Sequence, residues 1–162
     1  MLWGRRIESK SNLDLIQPVL PWLGNSWVGY TEHFDWNGGT NKNSRMIDVR
    51  AGDVMHGTVT YNPQENSYTQ TQTNTRTGET SSMDVPVTDN ETFEHFWIVL
   101  EKVPEVCSQL PPSGTVTFYD IIVEYDNVKV DPVYTTSYVD DKCNSRAHIA
   151  TPNVTITWNP DM

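Results

Sequence analysis

The chain has 162 residues and a formal net charge of −10 at pH 7, from 11 Lys and Arg against 21 Asp and Glu. A surface of this sign repels phosphate backbones and anionic lipids, so we expect neither nucleic acid nor a membrane as a partner. Only 36% of the residues are hydrophobic, which suits a sheet protein whose strands bury alternate residues. We expect a single β-sandwich domain over residues 1–162, with residues 1–12 as a flexible N-terminal segment.

Stretches rich in β-branched and aromatic residues recur along the chain between Gly, Pro and Asn turns, and they predict strands. The predicted strands lie at residues 14–22, 26–36, 46–49, 54–61, 67–75, 80–87, 93–103, 115–125, 134–139 and 154–158. Helical periodicity is almost absent, and the short connections predict antiparallel neighbours. The sequence therefore predicts an all-β sandwich of two antiparallel sheets. Its core is expected to include Val54, Val59, Trp97, Val99, Val116, Phe118 and Ile121.

Both cysteines lie in loops at strand ends, Cys107 before a Pro-Pro pair and Cys143 within a polar segment. Unpaired structural cysteines are usually buried, so this placement favours a Cys107–Cys143 disulfide over two free thiols in a cytosolic domain. Asn90 and Asn153 each begin an Asn-x-Thr sequon and are candidate glycosylation sites. These features favour an extracellular or secretory protein, although residues 1–6 lack the apolar segment of a signal peptide.

The predicted strand at residues 26–36 mixes aromatic side chains with a carboxylate on one face. Strict alternation places Tyr30, Glu32 and Trp36 on the same side of that strand. A purely apolar core would not tolerate this mixture. Together with Trp27, these residues are therefore candidates to bind a sugar or a peptide by stacking and hydrogen bonding. Ordinary core packing of the aromatic rings is the alternative.

The predicted strand at residues 67–75 is polar on both faces. Gln70 and Gln72 share one face, and we expect them to form a hydrogen-bonding floor beside Tyr30 and Glu32, with a solvated sheet edge as the alternative. The four histidines lack the spacing of metal ligands, and no Gly-x-Ser-x-Gly nucleophile motif is present. The sequence predicts no metal site and no cofactor.

Four phrases of the sequence follow one another in a characteristic order. They are Ala51-Gly52-Asp53-Val54 continuing to Val59-Thr60, Asn74-Thr75-Arg76-Thr77-Gly78, Trp97-Ile98-Val99 and Gly114-Thr115-Val116-Thr117-Phe118. This order over roughly residues 16–125 resembles the glutamic peptidases, or eqolisins. The resemblance implies a concanavalin-like β-sandwich of the jelly-roll type. Residues 126–162 have no counterpart in the resemblance.

The resemblance also implies where catalytic groups would lie. In the glutamic peptidases a glutamate acts as general base on a water, and a glutamine on a neighbouring strand positions that water and stabilises the oxyanion. Gln17 falls where the family has its glutamine, but Phe96 stands at the place of the glutamate. Glu94, two residues earlier, is the candidate that remains, and Glu101 corresponds to a second, non-catalytic acid.

The sequence therefore favours a non-catalytic extracellular binding module for carbohydrate or an extended peptide. One alternative is a divergent glutamic-peptidase-like acid hydrolase that uses Gln17 with Glu94. Another is a structural protein without a small ligand. The binding module requires an open groove, the hydrolase requires a Gln–Glu pair within reach of one water, and the structural protein requires a filled groove. The most useful observation is whether a carboxylate faces Gln17 across the sheet.

Overall fold

A computed structural model gives the fold and describes residues 2–9, 14–35, 38–87, 93–101, 106–137 and 142–162, with residues 2–9 and 94 described by their backbone. The strands are β1 (Leu2–Ser9), β2 (Asp14–Val19), β3 (Trp27–Asp35), β4 (Thr40–Asn43), β5 (Ile47–Val49), β6 (Met55–Asn62), β7 (Ser67–Asn74), β8 (Thr80–Pro86), β9 (Phe93–Glu101), β10 (Thr115–Phe118), β11 (Val123–Tyr125), β12 (Val128–Val130), β13 (Arg146–Ala150) and β14 (Asn153–Thr157). Short 3-10 helices form at Cys107–Gln109 and Lys142–Asn144. The predicted all-β class is confirmed. In the described ranges no helix has the length and apolar character needed to cross a membrane.

The chain forms two compact units, Met1–Val103 and Pro104–Met162. The first unit contains a six-stranded sheet in the order β4–β3–β2–β1–β9, with β5 also paired to β3, and a three-stranded sheet β6–β7–β8. The second unit contains the sheet β10–β14–β13 and the hairpin β11–β12. The strand pairs in both units are antiparallel. The sequence expectation of a single domain stays a prediction.

The two sheets of the first unit pack face to face, and two glycines mark their close approach. A Cβ at Gly29 in β3 would lie 2.9 Å from Oε1 of Gln72 in β7. A Cβ at Gly57 in β6 would lie 3.3 Å from the side chain of Pro18 in β2. A side chain at position 29 would therefore require the ends of the Gln72 and Met55 side chains to move. Ile16 in β2 is fully buried because it lies on the same side of its strand as Pro18.

The opposite face of the six-stranded sheet is defined by the strand register. Gly4 in β1 pairs with both Val19 and Val99, so β2 and β9 present these valines on one side. Directly paired residues of antiparallel strands share a face, and alternate residues follow them. We call this surface the Gln17 face; it carries Leu15, Gln17, Val19, Tyr30, Glu32, Phe34, His95, Trp97 and Val99.

Strand β1 lies between β2 and β9 in the middle of the sheet, where the sequence predicted a flexible segment. Residues 2–9 contain Arg5, Arg6 and Glu8, which are uncommon in strands on intrinsic preference. Strand preference depends on neighbours more than on the residue itself, so the two flanking strands override the local pattern.

The predicted strand at residues 115–125 is two strands, because the chain bends between β10 and β11. Asp120 in this bend has a φ of 50°, a left-handed conformation that an extended strand cannot contain. Residues 134–137, expected to begin a strand, have no regular secondary structure.

The expected core is confirmed at Ile121, which is 3% exposed. It is wrong at Val54 and Trp97, whose exposed fractions are 41% and 43%. Val54 precedes β6 in a turn, and Trp97 lies on β9 at the end of the strand order, where fewer neighbours cover a side chain. The remaining four expected residues, Val59, Val99, Val116 and Phe118, are half-buried.

The predicted disulfide is confirmed: Cys107 and Cys143 are bonded within the second unit. The bond joins the two 3-10 helices and closes a segment with a sequence separation of 36. Nearby in the chain, Trp158 is buried and its Nε1 donates a 2.9 Å hydrogen bond to the main-chain oxygen of Pro111. A unit of this size buries little apolar surface, so a covalent link contributes a large share of its stability.

We predict that replacing both Cys107 and Cys143 by Ser lowers the free energy of unfolding of the second unit by about 3–4 kcal/mol, from the chain entropy that the closed loop removes. Urea denaturation followed by tryptophan fluorescence measures the change. Adding reductant to the wild type should reproduce it and leave the double variant unaffected. A loss below about 1 kcal/mol would contradict the prediction.

Candidate functional site

A glutamine and a glutamate meet at the centre of the Gln17 face. Gln17 in β2 pairs directly with Glu32 in β3, and Gln17 Nε2 donates a hydrogen bond to Glu32 Oε2 at 2.5 Å. Both residues are buried, with exposed fractions of 6% and 5%. The backbone register brings the two side chains together, because directly opposite residues in an antiparallel pair lie on the same side. A carboxylate therefore faces Gln17.

The second oxygen of the Glu32 carboxylate is held from the other side. Asn41 in β4 donates from Nδ2 to Glu32 Oε1 at 2.8 Å. Each carboxylate oxygen thus accepts one amide hydrogen bond and keeps a second lone pair for another donor, such as a water. The Gln17 amide likewise has a second N–H. The arrangement has the hydrogen-bonding capacity to bind one water and one carbonyl oxygen.

Tyr30 lies on the same face, two residues before Glu32. Its side chain is buried, and it pairs across the strands with Val19. Burial of the phenol raises the pKa of Tyr30 to about 12, with smaller contributions from the negative charges of Glu32 and Glu101. The phenol therefore keeps its proton at every pH at which a carboxylate can act as a base, and it remains a hydrogen-bond donor.

The sequence predicted that Gln70 and Gln72 lie beside Tyr30 and Glu32. In the structure they do not lie beside the Glu32 side chain. Gln70 is fully buried, and its Nε2 donates to the main-chain oxygen of Glu32 at 3.1 Å, from the interface between the two sheets. Gln72 packs against Gly29 in the same interface. Among the described residues, neither Oε1 atom has a hydrogen-bond partner. These amides join the sheets, and the Gln17 face lies on the opposite side of β3.

The aromatic candidates are divided between the two faces. Trp27 alternates with Tyr30 along β3, so it lies on the interface side, where its ring is 5.2 Å from that of Trp22. Trp36, like the sequon residue Asn90, lies outside the described residues. Asn153 is described, and its Oδ1 accepts a hydrogen bond from the main-chain nitrogen of Asp120 at 3.1 Å. Glycosylation at either site stays a prediction.

Glu94, the glutamate suggested by the resemblance, lies at an irregularity of β9. Glu8 in β1 pairs with His95 and Ser9 pairs with Phe93, so the register passes over Glu94. Such a shift is a β-bulge, which can re-aim a side chain. Phe96 alternates with Trp97 and so lies on the side of β9 away from Gln17. Neither position pairs with the glutamine.

Two phrases from the sequence analysis meet at one turn cluster, which sequence reasoning did not foresee. Asp53 Oδ1 accepts from Arg76 Nε at 2.5 Å, and its Oδ2 accepts from Arg76 Nη2 at 2.9 Å and from Asn74 Nδ2 at 2.7 Å. We call these three residues the Asp53 clasp. The hydrogen bonds from Arg76 hold the pKa of the Asp53 carboxyl well below its usual range, supported by Arg50 and Asn74.

The clasp connects the turn before β6 to the turn after β7. Asn74 Nδ2 also donates to the main-chain oxygen of Asp48 at 3.2 Å, and Asp48 is the central residue of β5 in the six-stranded sheet. In the part of the chain that the structure describes, no group of three or more His, Cys, Asp or Glu residues could hold a metal ion.

Comparison with known proteins identifies the family. The sequence matches the peptidase A4 family over residues 16–158. The chain belongs to this family. The match continues beyond residue 125, so the C-terminal residues that lacked a counterpart in the sequence analysis are part of the family pattern. No curated protein sequence matches the chain.

Solved structures of glutamic peptidases have the same fold. Aspergilloglutamic peptidase from Aspergillus niger superposes with a TM-score of 0.67 at 13% identity, covering 97% of both chains. Scytalido-glutamic peptidase with a transition state analog inhibitor gives a TM-score of 0.64 at 13% identity, covering 97% of this chain and 82% of the other. A second structure of that peptidase, with a peptide-based analog, gives 0.64 at 15% identity and the same coverage. At these identities the likeness establishes the β-sandwich of the glutamic peptidases for this member of the A4 family.

We predict that Tyr30 makes the fold sensitive to alkali. Its folded pKa of about 12 exceeds the ordinary value near 10, so the folded state retains a proton that the unfolded state loses as pH rises between these values. The contribution is fully present below about pH 10 and is lost toward about pH 12, by roughly 2 kcal/mol. Urea denaturation at the two ends of this window should show a smaller loss for Tyr30→Phe than for wild type. Tyr125→Phe, at a residue 74% exposed, serves as the control and should behave like wild type.

The Asp53 clasp should make stability sensitive to acid in the opposite sense. Because the folded pKa of Asp53 is depressed, its stabilisation is present above the unfolded pKa near 4 and is lost as pH falls below it. The stability difference between wild type and Asp53→Asn should therefore shrink between about pH 6 and about pH 2, as measured by thermal unfolding. Asp161→Asn, near the C-terminus, is the matched control. An unchanged difference across this range would show that the clasp carries no titrating ion pair.

Proposed function

We propose that this protein is a divergent hydrolase of the glutamic-peptidase type that cleaves peptide bonds at acid pH, with Glu32 as the carboxylate base and Gln17 as its amide partner. The observation that supports the proposal most directly is the buried contact of 2.5 Å between Gln17 Nε2 and Glu32 Oε2. Membership of the peptidase A4 family supports the class of reaction. The proposal is the acid hydrolase that the sequence analysis considered as an alternative, with Glu32 instead of Glu94 as the base.

The chemistry follows from what these groups can accept and donate. A water bound to the Glu32 carboxylate would transfer a proton to one of the carboxylate oxygens while the water oxygen attacks the peptide carbonyl carbon. The free N–H of Gln17 would donate to the carbonyl oxygen, which becomes an oxyanion in the tetrahedral intermediate. Glu32 would then return the proton to the leaving nitrogen as the C–N bond breaks. The products are a carboxylic acid and an amine, and the glutamate regains its starting state.

Burial of the pair suits this role in one respect and limits it in another. Few solvent molecules reach Glu32, which is 5% exposed, so electrostatic interactions with a bound substrate are weakly screened. The same burial limits the access of a substrate to the pair, since Val19 and Tyr30 on the same face are also buried. Tyr30, protonated beside Glu32, is a further donor on the approach.

A non-catalytic binding module for an extended peptide or carbohydrate is the second candidate, and a different observation favours it. Trp97 and His95 lie on the Gln17 face as an edge-to-face ring pair with centroids 6.3 Å apart, and both are exposed. Exposed aromatic rings beside polar groups are typical of surfaces that bind sugars and peptides. Phe96, at the position of the family's glutamate, also favours binding without turnover.

We further propose an extracellular or secretory location. The Cys107–Cys143 bond supports it, because disulfides persist in oxidising compartments and are rare in the cytosol. The Asp53 clasp is compatible with acidic surroundings, since the depressed pKa of Asp53 keeps its ion pair with Arg76 when ordinary carboxylates begin to protonate.

We predict that the purified protein cleaves an unfolded protein substrate at acid pH and that Glu32→Gln lowers kcat/KM by about 10²–10⁴-fold, the usual cost of losing a positioned base. Mass spectrometry of the products over a range of acid pH measures turnover. Glu65→Gln, in the exposed β6–β7 turn, is the control and should retain activity.

Glu94→Gln separates the two carboxylates. If it abolishes cleavage while Glu32→Gln does not, the base is Glu94 and the assignment to Glu32 is wrong. If wild type binds peptides, as measured by a change in tryptophan fluorescence that Trp97→Phe reduces, but produces no cleavage, the binding module replaces the hydrolase.

A further inference from the structure

We propose that Asn41 is a positioning residue for Glu32: its amide holds the carboxylate in the orientation that the proposed base requires. The inference rests on the proposed function and assigns a role to a strand, β4, that neither the motifs nor the family resemblance included. It is carried by the 2.8 Å hydrogen bond from Asn41 Nδ2 to Glu32 Oε1.

The hydrogen bond between Asn41 and Glu32 joins an exposed residue to a buried one. All four residues of β4 are exposed, whereas Glu32 is buried. Asn41 pairs with Phe34 across the strands, and Glu32 itself pairs with Asn43. The bond therefore runs diagonally from an exposed strand to a buried carboxylate, which brings a neutral donor to the rim of the site.

The two amides act on different oxygens of the same group. Gln17 holds Oε2 from β2, and Asn41 holds Oε1 from β4. A carboxylate with one donor can rotate about its last side-chain bond, whereas donors on both oxygens define its plane. With the plane of the carboxylate defined, the oxygen lone pair that would accept a proton from water points in a single direction. Because an amide nitrogen only donates, it stabilises the charged carboxylate more than the neutral acid.

A purely structural role for Asn41 predicts a different outcome. If the bond served only to attach β4 to the sheet, its loss would change stability and leave the chemistry of Glu32 unaltered. Asn43 provides the comparison, because it is on the same strand and the same face and is directly opposite Glu32. Among the described residues, the side-chain donors to the Glu32 carboxylate are Gln17 and Asn41.

The test measures kcat and KM of peptide cleavage for Asn41→Ala, Asn41→Asp and Asn43→Ala. We expect Asn41→Ala to lower kcat about tenfold, with KM little changed. Asn41→Asp has nearly the same shape but replaces the N–H donor by a second carboxylate beside Glu32, so it should lower kcat at least as much. Asn43→Ala should match the wild type. Equal kcat values for Asn41→Ala and Asn43→Ala would overturn the inference.

A second measurement does not depend on activity. At one fixed pH, NMR relaxation of the Glu32 carboxyl carbon should show greater reorientation of the carboxylate in Asn41→Ala than in wild type, and wild-type behaviour in Asn43→Ala. Unchanged reorientation in Asn41→Ala overturns the inference even if cleavage is observed. If the wild type shows no cleavage, the proposed function fails, and the NMR comparison still decides separately whether Asn41 orients Glu32.

Discussion

The antiparallel register of β2 and β3 determines which side chains can meet in this protein. With Gln17 opposite Glu32, every residue of even number in β3 from Tyr30 onward lies on the Gln17 face, and the odd ones face the other sheet. A slip of one residue would place the Glu32 carboxylate between the two sheets and move Thr31, which is fully buried in this register, to the Gln17 face. The register is therefore a requirement of both the core and the site.

The interface between the two sheets of the first unit is polar, and it is held by side-chain to main-chain hydrogen bonds. Gln70 donates to the main chain of Glu32, Asn74 to that of Asp48, and Ser81 to that of Arg45 at 2.5 Å. Each bond satisfies a buried donor that would otherwise cost about 1–3 kcal/mol. The Gln70 bond joins β7 to β3, so the packing between the sheets also restrains the strand that carries Glu32.

The carboxylate that the family resemblance implies and the one that we propose lie on different strands. Phe96 removes the expected acid from β9, while the neighbouring strand β3 presents Glu32 to the same glutamine. Glu94 lies where the register between β1 and β9 shifts. A site built across β2, β3 and β4 would retain the glutamine of the family and take its carboxylate from the other side. The variants Glu32→Gln and Glu94→Gln, with Glu65→Gln as the control, distinguish this arrangement from a site without catalytic activity.

The sequence by itself determined the all-β class and most strand positions, because alternation and turn residues are local signals. It also determined the disulfide, because the chain has two cysteines and both lie in loops at strand ends. It also identified Gln17, Tyr30 and Glu32 as residues of interest, through the mixture of charge and aromatic rings on one strand. Only the tertiary structure decided that Gln17 and Glu32 touch, and that Gln70 and Gln72 lie on the reverse side of β3. The reason is physical: alternation shows which residues share a face, but strand order and register, set by packing of distant segments, decide which faces meet.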